Sequence, residues 1–424
     1  MNIWIINHYA MPPEYEVRVR NNKMAKYLQK LGYNVKIISA STIHNSSINL
    51  MDNINSKFIE KSYDGLNFVH IKTSNYNGNG IKRILNHLQF LIGILLNYKK
   101  ISTKPDIIIC NLGIPFTIVP YYISQKVRAK FIFEVRDLWP KSFVAYGIIS
   151  RKNPLLRLLY AEEKWIYKNA DKLVFTMEGG RDYILEQGWD KLNGGPVDIN
   201  KVCHINNGVD LEAFNYNREH YQLDDEDLNN SETFKVIYTG SIRLINKVEM
   251  LVDVAKIIQE KNIIFLIWGD GDQVQHIKNR IKNEDIRNIA LKGKVDKKYI
   301  PYITSKADIN IILGTNNPLY KYGVSANKMF DYFASGKPII SAMTFGYSLI
   351  KKYNAGVELE DSSVENICKA ILDYKLLSSQ FYEEQCNNAL KAAEDFDFKI
   401  LTDKLEKIIL ELLPEEDSHA NPVN

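Results

Sequence analysis

Cysteine is scarce in this chain of 424 residues. There are four, Cys110, Cys203, Cys368 and Cys386, and no pair has the spacing of a zinc knuckle or a redox dithiol. Their scatter fits a reducing compartment better than a disulfide framework. An excess of one charge is also missing: 54 Lys and Arg face 50 Asp and Glu, a formal +4. That balance is too small and too dispersed for a protein that tracks nucleic-acid phosphates, so any anion has to be held locally. Long hydrophobic runs are absent as well. The longest stretch without a polar side chain, 90–96, is far below the roughly 20 residues that span a bilayer. The start, MNIWIINHYA, has neither a basic leader nor a small-residue cleavage site. The expectation is a cytoplasmic protein with no spanning segment.

What the chain does have is enough apolar material for full-sized cores: 45% hydrophobic and 25% charged residues. At about 150 residues per domain its length predicts two or three domains. Short β-branched runs at 3–7, 35–40, 68–72, 107–110, 131–135, 173–176 and 202–205 alternate with helix-like segments. Their apolar character is continuous, the pattern of a parallel sheet covered on both faces by crossover helices. A polar stretch then interrupts, and a second series follows at 235–239, 263–268, 289–291, 309–313, 338–341 and 357–359. The reading is α/β throughout. A first doubly wound Rossmann-like domain spans 1–205, a connection 206–233 and a second such domain 234–395. A C-terminal helix and tail, 396–424, could return to the first domain, and a cleft between the domains would hold ligands.

The second half offers two helix starts suited to an anion. In the first, Gly240 and Ser241 follow a strand, and Asn246 with Glu249 has the spacing of a capping box. A helix beginning there would aim backbone N–H groups at a phosphate, with Arg243 and Lys247 adding charge. In the second, Ser325 is placed to cap a helix that carries Asn327, Lys328 and Asp331. Lys328 and Asp331, three apart, share a face: a cation for phosphate beside a carboxylate for a sugar diol. The same residues would also make an ordinary exposed Lys–Asp pair; two such starts in one domain favour a diphosphate. Val295 lies in a loop that could meet a base. Asp270-Gly-Asp272 has the letters of a metal-binding D-x-D, but the reading assigns it to turn chemistry.

These segments resemble the GT-B glycosyltransferases of family 4, and within them the bacterial subgroup of surface-polysaccharide enzymes that includes N-acetyl-L-fucosamine transferase-like proteins. The likeness rests on His8-Tyr9, Pro12-Pro13-Glu14 and Arg20, on the run EVRDLWP (134–140), on Asn206-Asn207-Gly208-Val209-Asp210, and on NKMFDYFASGKPII (327–340). It implies that the second domain holds a nucleoside-diphosphate sugar, usually a UDP-sugar, and the first an acceptor, with transfer retaining anomeric configuration. It also implies that Asp331 takes the ribose hydroxyls. Two positions depart from the pattern: Gly323 stands where the first of two family acids would be, and Ser241 where relatives carry Arg.

Leaving-group charge on a β-phosphate would be met by fixed cations and a helix dipole, so no metal is required. On the acceptor side Glu134, Arg136 and Asp137 leave a buried-type strand. Arg136, where the family often has His, suits orientation of a phosphate or sugar, and Asp137 or Glu134 handling of the acceptor proton. A buttressing Arg–carboxylate bridge is the other reading. His8, Glu14, Arg20 and Trp139 are candidate acceptor contacts. The resemblance further implies a saccharide or polyprenyl-diphosphate-linked acceptor in capsule or O-antigen synthesis, reached by peripheral contact at the inner face of the plasma membrane. The helix at 81–100 would supply that contact, unless it is a crossover helix buried on both sides. The rival readings are a non-hydrolysing UDP-sugar epimerase and a nucleotide-sugar-binding protein that has lost turnover.

Overall fold

A computed structural model of the protein describes residues 1–15, 19–44, 46–76, 78, 80–259 and 261–413. The chain divides into two compact units, 1–206 with the described residues from 401 to 413, and 207–400. The tail from 414 lies outside the described residues.

In the first unit eight strands form one sheet: β1 (Asn2–Ile6), β2 (Asn34–Ala40), β3 (Phe58–Tyr63), β4 (Leu66–Ile71), β5 (Ile107–Cys110), β6 (Lys130–Val135), β7 (Lys172–Phe175) and β8 (Val202–His204), in the order β3-β4-β2-β1-β5-β6-β7-β8. All pairings are parallel except β3 with β4. Central strands such as β5, Ile-Ile-Ile-Cys, are buried along their length because crossover helices cover both faces. The β3 strand is absent from the sequence reading. Its residues, Phe-Ile-Glu-Lys-Ser-Tyr, are half-buried or exposed at the sheet edge, so no continuous apolar run marks them.

The second unit has six parallel strands, β9 (Phe234–Thr239), β10 (Ile263–Trp268), β11 (Ile289–Gly293), β12 (Ile309–Ile312), β13 (Ile339–Ser341) and β14 (Gly356–Glu358), in the order β11-β10-β9-β12-β13-β14. Apart from the β3–β4 pair at the edge of the first sheet, each order reverses direction once, at β1 in the first unit and at β9 in the second. The C-terminal ends of these two strands are therefore the switch points where open α/β sheets take ligands. His8 follows the first and Gly240 the second.

The stretch 206–233 differs from the expected connection. It carries the helices Leu211–His220 and Glu226–Asn229, started by the Asp210 and Asp225 carboxylates, which accept from Ala213 and Leu228 N–H at 3.1 and 2.9 Å. Phe214 and Leu228 are buried, and from 207 onward the stretch belongs to the second unit. Helices this short show no readable period; the two Asp caps were the available signal. At the far end, residues 401–413 belong to the first unit, where Thr402 packs on Met24.

The first unit also buries a carboxyl group. Helix α4 is Pro154–Asn169, after α1 (Arg20–Lys30), α2 (Ile81–Asn97) and α3 (Ile118–Val127). Its Glu163 is fully buried and accepts from Tyr167 and Tyr183 hydroxyls at 2.9 and 2.8 Å. Burial pushes its carboxyl up to about 8. The fold thus holds a proton that the unfolded chain releases near 4.5. Glu163's contribution is complete below 4.5 and is lost as pH rises through about 8. Denaturant titrations across this window should show the loss in the native protein and a flatter profile in Glu163→Gln.

Candidate active site

In the second unit, the loop after β9 meets the N-terminus of helix α6 (Asn327–Ala334); α5 is Met250–Ile257. Gly240 has φ 138°, and a Cβ there would stand 2.9 Å from Lys328 Nζ. Lys328, half-buried, donates to the Tyr238 hydroxyl at 3.0 Å and lies 4.1 Å above that ring. Tyr238 in turn donates to the Ser241 carbonyl at 2.8 Å, which sets that peptide's orientation. One turn along α6, the Tyr332 hydroxyl accepts Thr239 N–H at 2.9 Å and clamps the helix to the end of β9. No carboxylate pairs with Lys328 among the described residues, and burial lowers its ammonium to about 8. A cation held this way, at a helix N-terminus and against a glycine backbone, is arranged for an anion. Asp331, one turn into the helix, has its carboxyl raised by burial and partly offset by Lys297.

Of the other donor-side candidates, Ser241 is tied to this point through its carbonyl, which Tyr238 holds. Ser241 and Arg243 are exposed, and Lys247 is half-buried with φ 52°. The expected capping box at Asn246 and Glu249 does not form. Leu244–Asn246 is a 3-10 turn, α5 starts at Met250, and no side chain caps it. Ser325 does not cap α6 either; Ala326 holds that position. Ser325 instead takes Asn207 N–H on Oγ at 3.1 Å and Asn207 Nδ2 on its carbonyl at 2.9 Å, and the same Nδ2 reaches Asn327 Oδ1 at 3.1 Å. Val295 packs half-buried against the cluster of Leu266, Trp268 and Tyr302. Gly323 has φ 94° and gives its N–H to Tyr320 O at 2.9 Å.

Asp270 shows turn chemistry, its Oδ1 taking Gly271 N–H at 2.8 Å. The glycines around it do more than turn the chain. A Cβ on Gly269 would fall 1.8 Å from Gly240 O, so this glycine lets the loops after β9 and β10 touch backbone to backbone.

In the first unit Glu134, at the end of β6, sits between two guanidinium groups. Arg20, the first residue of α1, donates Nε to Oε2 at 2.9 Å, and Arg136 donates Nε to Oε1 at 2.5 Å. The remaining Arg20 nitrogens hold Asn206 O at 2.5 Å and Ile205 O at 3.0 Å; Arg136 Nη2 reaches Asn21 Oδ1 at 2.5 Å. Burial works against the Glu134 charge, but Arg136 and Arg20 outweigh it and hold the carboxyl down to about 2. A carboxylate this acidic is a poor base, so of the two proton-handling candidates the geometry favours exposed Asp137. Arg20, expected to meet an acceptor, has all three nitrogens committed to Glu134 and to the Ile205 and Asn206 carbonyls. The buttressing bridge is thus present.

His8 is buried and donates Nε2 to Asn86 Oδ1 at 2.5 Å. That orientation of Asn86 follows from its Nδ2 bonds to Thr42 Oγ1 and Ser74 O. The ring stacks on His87 at 3.7 Å, and burial first, then His87, drives its pKa well down. His8 is therefore neutral, with Nδ1 left as an acceptor that has no partner among the described residues. Glu14 is exposed, and Trp139 is half-buried, 4.3 Å from Phe143. Tyr238 and Tyr332 were missed by the sequence reading, since each lies in a run that looks like core; their hydroxyls become legible only when β9 and α6 are adjacent.

Residues 17–213 match the family described as Glycosyltransferase Family 4, and residues 233–375 that described as Glycosyl transferases group 1. One match falls on each unit, so the chain carries a domain matching each of these two glycosyltransferase families. Among known proteins, the uncharacterised glycosyltransferase MJ1069 of Methanocaldococcus jannaschii is 26% identical over 260 residues, 59% of this chain and 61% of that one. TuaH of Bacillus subtilis, named for teichuronic acid biosynthesis, is 26% identical over 235 residues, 54% and 55% of the two chains. The chain thus matches a little over half the length of these relatives. Among solved structures, Anabaena HepE in complex with UDP superposes with a TM-score of 0.68 at 13% identity, covering 97% of this chain and 100% of that one. The fold is GT-B, two Rossmann-like α/β domains.

Proposed function

We propose that the protein transfers a sugar from a UDP-sugar, of the N-acetylated amino-sugar class read for the resembling subgroup, to a saccharide or polyprenyl-diphosphate-linked acceptor in bacterial capsule or O-antigen synthesis. In this reading it works without a metal and with retention, on the cytoplasmic side and in peripheral contact with the membrane. The observation that carries the reading is Lys328, an ammonium with no carboxylate partner among the described residues, held by Tyr238 beside Gly240 at the start of α6. As the sugar–phosphate bond breaks, charge grows on the β-phosphate oxygens. Lys328 and the helix N-terminus would meet that charge, with Arg243 and Lys247 adding theirs, so stabilisation increases toward the transition state. Asp331 would take the ribose hydroxyls and Val295 would border the base. On the acceptor side Asp137 would receive the hydroxyl proton while Arg136, braced by Glu134 and Asn21, orients the acceptor.

A thermal-shift panel tests this. UDP and UDP-sugars should raise the melting temperature, and ADP and GDP should raise it less. A panel in which no uridine nucleotide shifts the protein sinks the donor assignment. Incubation of UDP-N-acetylglucosamine alone should leave the sugar's configuration unchanged; its conversion would make the protein an epimerase. UDP binding with no UDP release across acceptors would favour the nucleotide-binding reading, in line with the missing acid at Gly323.

A further inference from the structure

Helix α2 buries one face only. Phe90 and Ile94 are buried, whereas Ile81 and Leu96 near its two ends are 75 and 70% exposed, so it is not a crossover helix covered on both sides. Its inner flank carries Asn86 and His87 to the loop after β1, the switch point of the first sheet. His8, expected there to touch an acceptor, is 1% exposed, and its Nδ1 is closed to solvent. His8 therefore lines this place without reaching a ligand. The ring stacked on it, His87, keeps 8% of its surface exposed.

The orientation of His87 is set by its neighbours. His8 stacks on it at 3.7 Å and 18°, and Phe116, from the loop after β5, at 4.7 Å and 5°. Two rings this near to parallel cannot share one face, so both faces are covered and only the ring edge is left. On that edge Nε2 meets the Tyr9 hydroxyl at 2.8 Å, and the Tyr9 oxygen accepts Arg83 Nε at 2.7 Å. A guanidinium can only donate, and a phenol that receives a cationic donor passes its own proton onward more readily. The chain of donors thus runs from Arg83 through Tyr9 to His87 Nε2. The His87 proton is then on Nδ1, which has no hydrogen bond among the described residues.

No carboxylate faces this ring among the described residues. The groups around it are Arg83 on α2, His8 and Tyr9 after β1 and His44 after β2. Burial first, then Arg83 and His44, lowers its pKa to about 4, so the ring is uncharged near neutral pH. An anion would draw a second proton onto His87 beside a guanidinium, and a cation would be repelled by Arg83. An uncharged oxygen takes the N–H and asks for no proton. We propose that His87 Nδ1–H is a contact for a hydroxyl or amide oxygen of an uncharged sugar unit of the acceptor, with Arg83 and Tyr9 as positioning residues that set its tautomer. The proposal rests on the transferase reading and names the class of group that the first domain takes.

Nuclear magnetic resonance of the full chain labelled with 15N at its eight histidines tests this, and the signal lost in His87→Asn assigns the residue. At neutral pH His87 should show a protonated Nδ1 and a bare Nε2, and Tyr9→Phe should mix the two tautomers. Millimolar N-acetylglucosamine or methyl glucoside should move the Nδ1 signal and leave the ring neutral, and inorganic phosphate should not move it. His87→Leu should weaken sugar binding, followed on the remaining histidine signals, about tenfold or more. His87→Asn, whose amide N–H can stand where Nδ1–H stood, should keep most of it. Each variant should retain the UDP thermal shift, which shows that it folds. A wild type with its proton on Nε2, no response to either sugar, undiminished sugar binding by His87→Leu, or a phosphate response that turns His87 into an imidazolium would overturn the inference. A chain that gives the sugar response without a UDP shift would support it and overturn the donor reading alone.

Discussion

Lys328→Ala is expected to weaken UDP binding by about 10- to 100-fold, the loss of a charge-assisted contact of ~1.5–3 kcal/mol. It should slow transfer further, by about 10²–10³-fold, since the contact strengthens as the leaving group gains charge. The loss should be specific to the diphosphate: titration with uridine should give similar affinities for wild type and variant. Unchanged UDP affinity would remove Lys328 from the site. A pH signature accompanies this. The ligand-free fold releases the Lys328 proton near 8, whereas a solvated lysine releases it near 10.5. Between these values the unfolded chain binds the extra proton, so the empty protein gains stability as pH rises. A bound diphosphate needs the protonated form, so UDP affinity should fall as pH rises through about 8 with proton uptake on binding, measurable by calorimetry in buffers of different ionisation heat. Lys328→Arg should lack this fall, because a guanidinium stays charged.

Arg20→Ala should be the most destabilising single change in the first unit, costing about 3–5 kcal/mol in a denaturant titration. It removes a buried partner of Glu134 and leaves the Ile205 and Asn206 carbonyls without their donor. Arg20→Lys should recover little, since one ammonium cannot serve a carboxylate and two carbonyls at the geometry of a planar fork. Acid sensitivity supplies an independent readout. Glu134 stays ionised to about 2 in the fold, against 4.5 for a solvated glutamate. Its stabilisation is complete above 4.5 and is lost as pH falls toward 2. Arg20→Ala should shrink this acid limb along with the stability. A variant as stable as wild type would mean that the network contributes nothing to the fold.

Both residues were named from sequence, but their surroundings were not. Lys328 stood out through its place in NKMFDYFASGKPII, while its holder Tyr238 lies 90 residues earlier in a strand that reads as core. Glu134 and Arg20 are 114 residues apart, and their pairing turned a candidate base into the centre of a brace. The cap assignments at Asn246 and Ser325 failed because side-chain hydrogen bonds follow the local backbone. The chain forms a 3-10 turn at the first, and Asn207 claims the hydroxyl at the second.

Sequence alone settled the two doubly wound sheets, because a strand buried on both faces must be apolar at every position and a crossover helix must follow it. It also located the glycine turn after β9 and the α6 start, whose residue types are set by local backbone demands. Tertiary structure decided which ionisable groups meet, and therefore their protonation: Lys328 near 8, Glu163 near 8 and Glu134 near 2 depend on burial and on partners distant in the chain. It also decided which apolar face of α2 has no cover. The residue types of that helix are compatible with burial on either side, and only the sheet beneath it determines which side is left out.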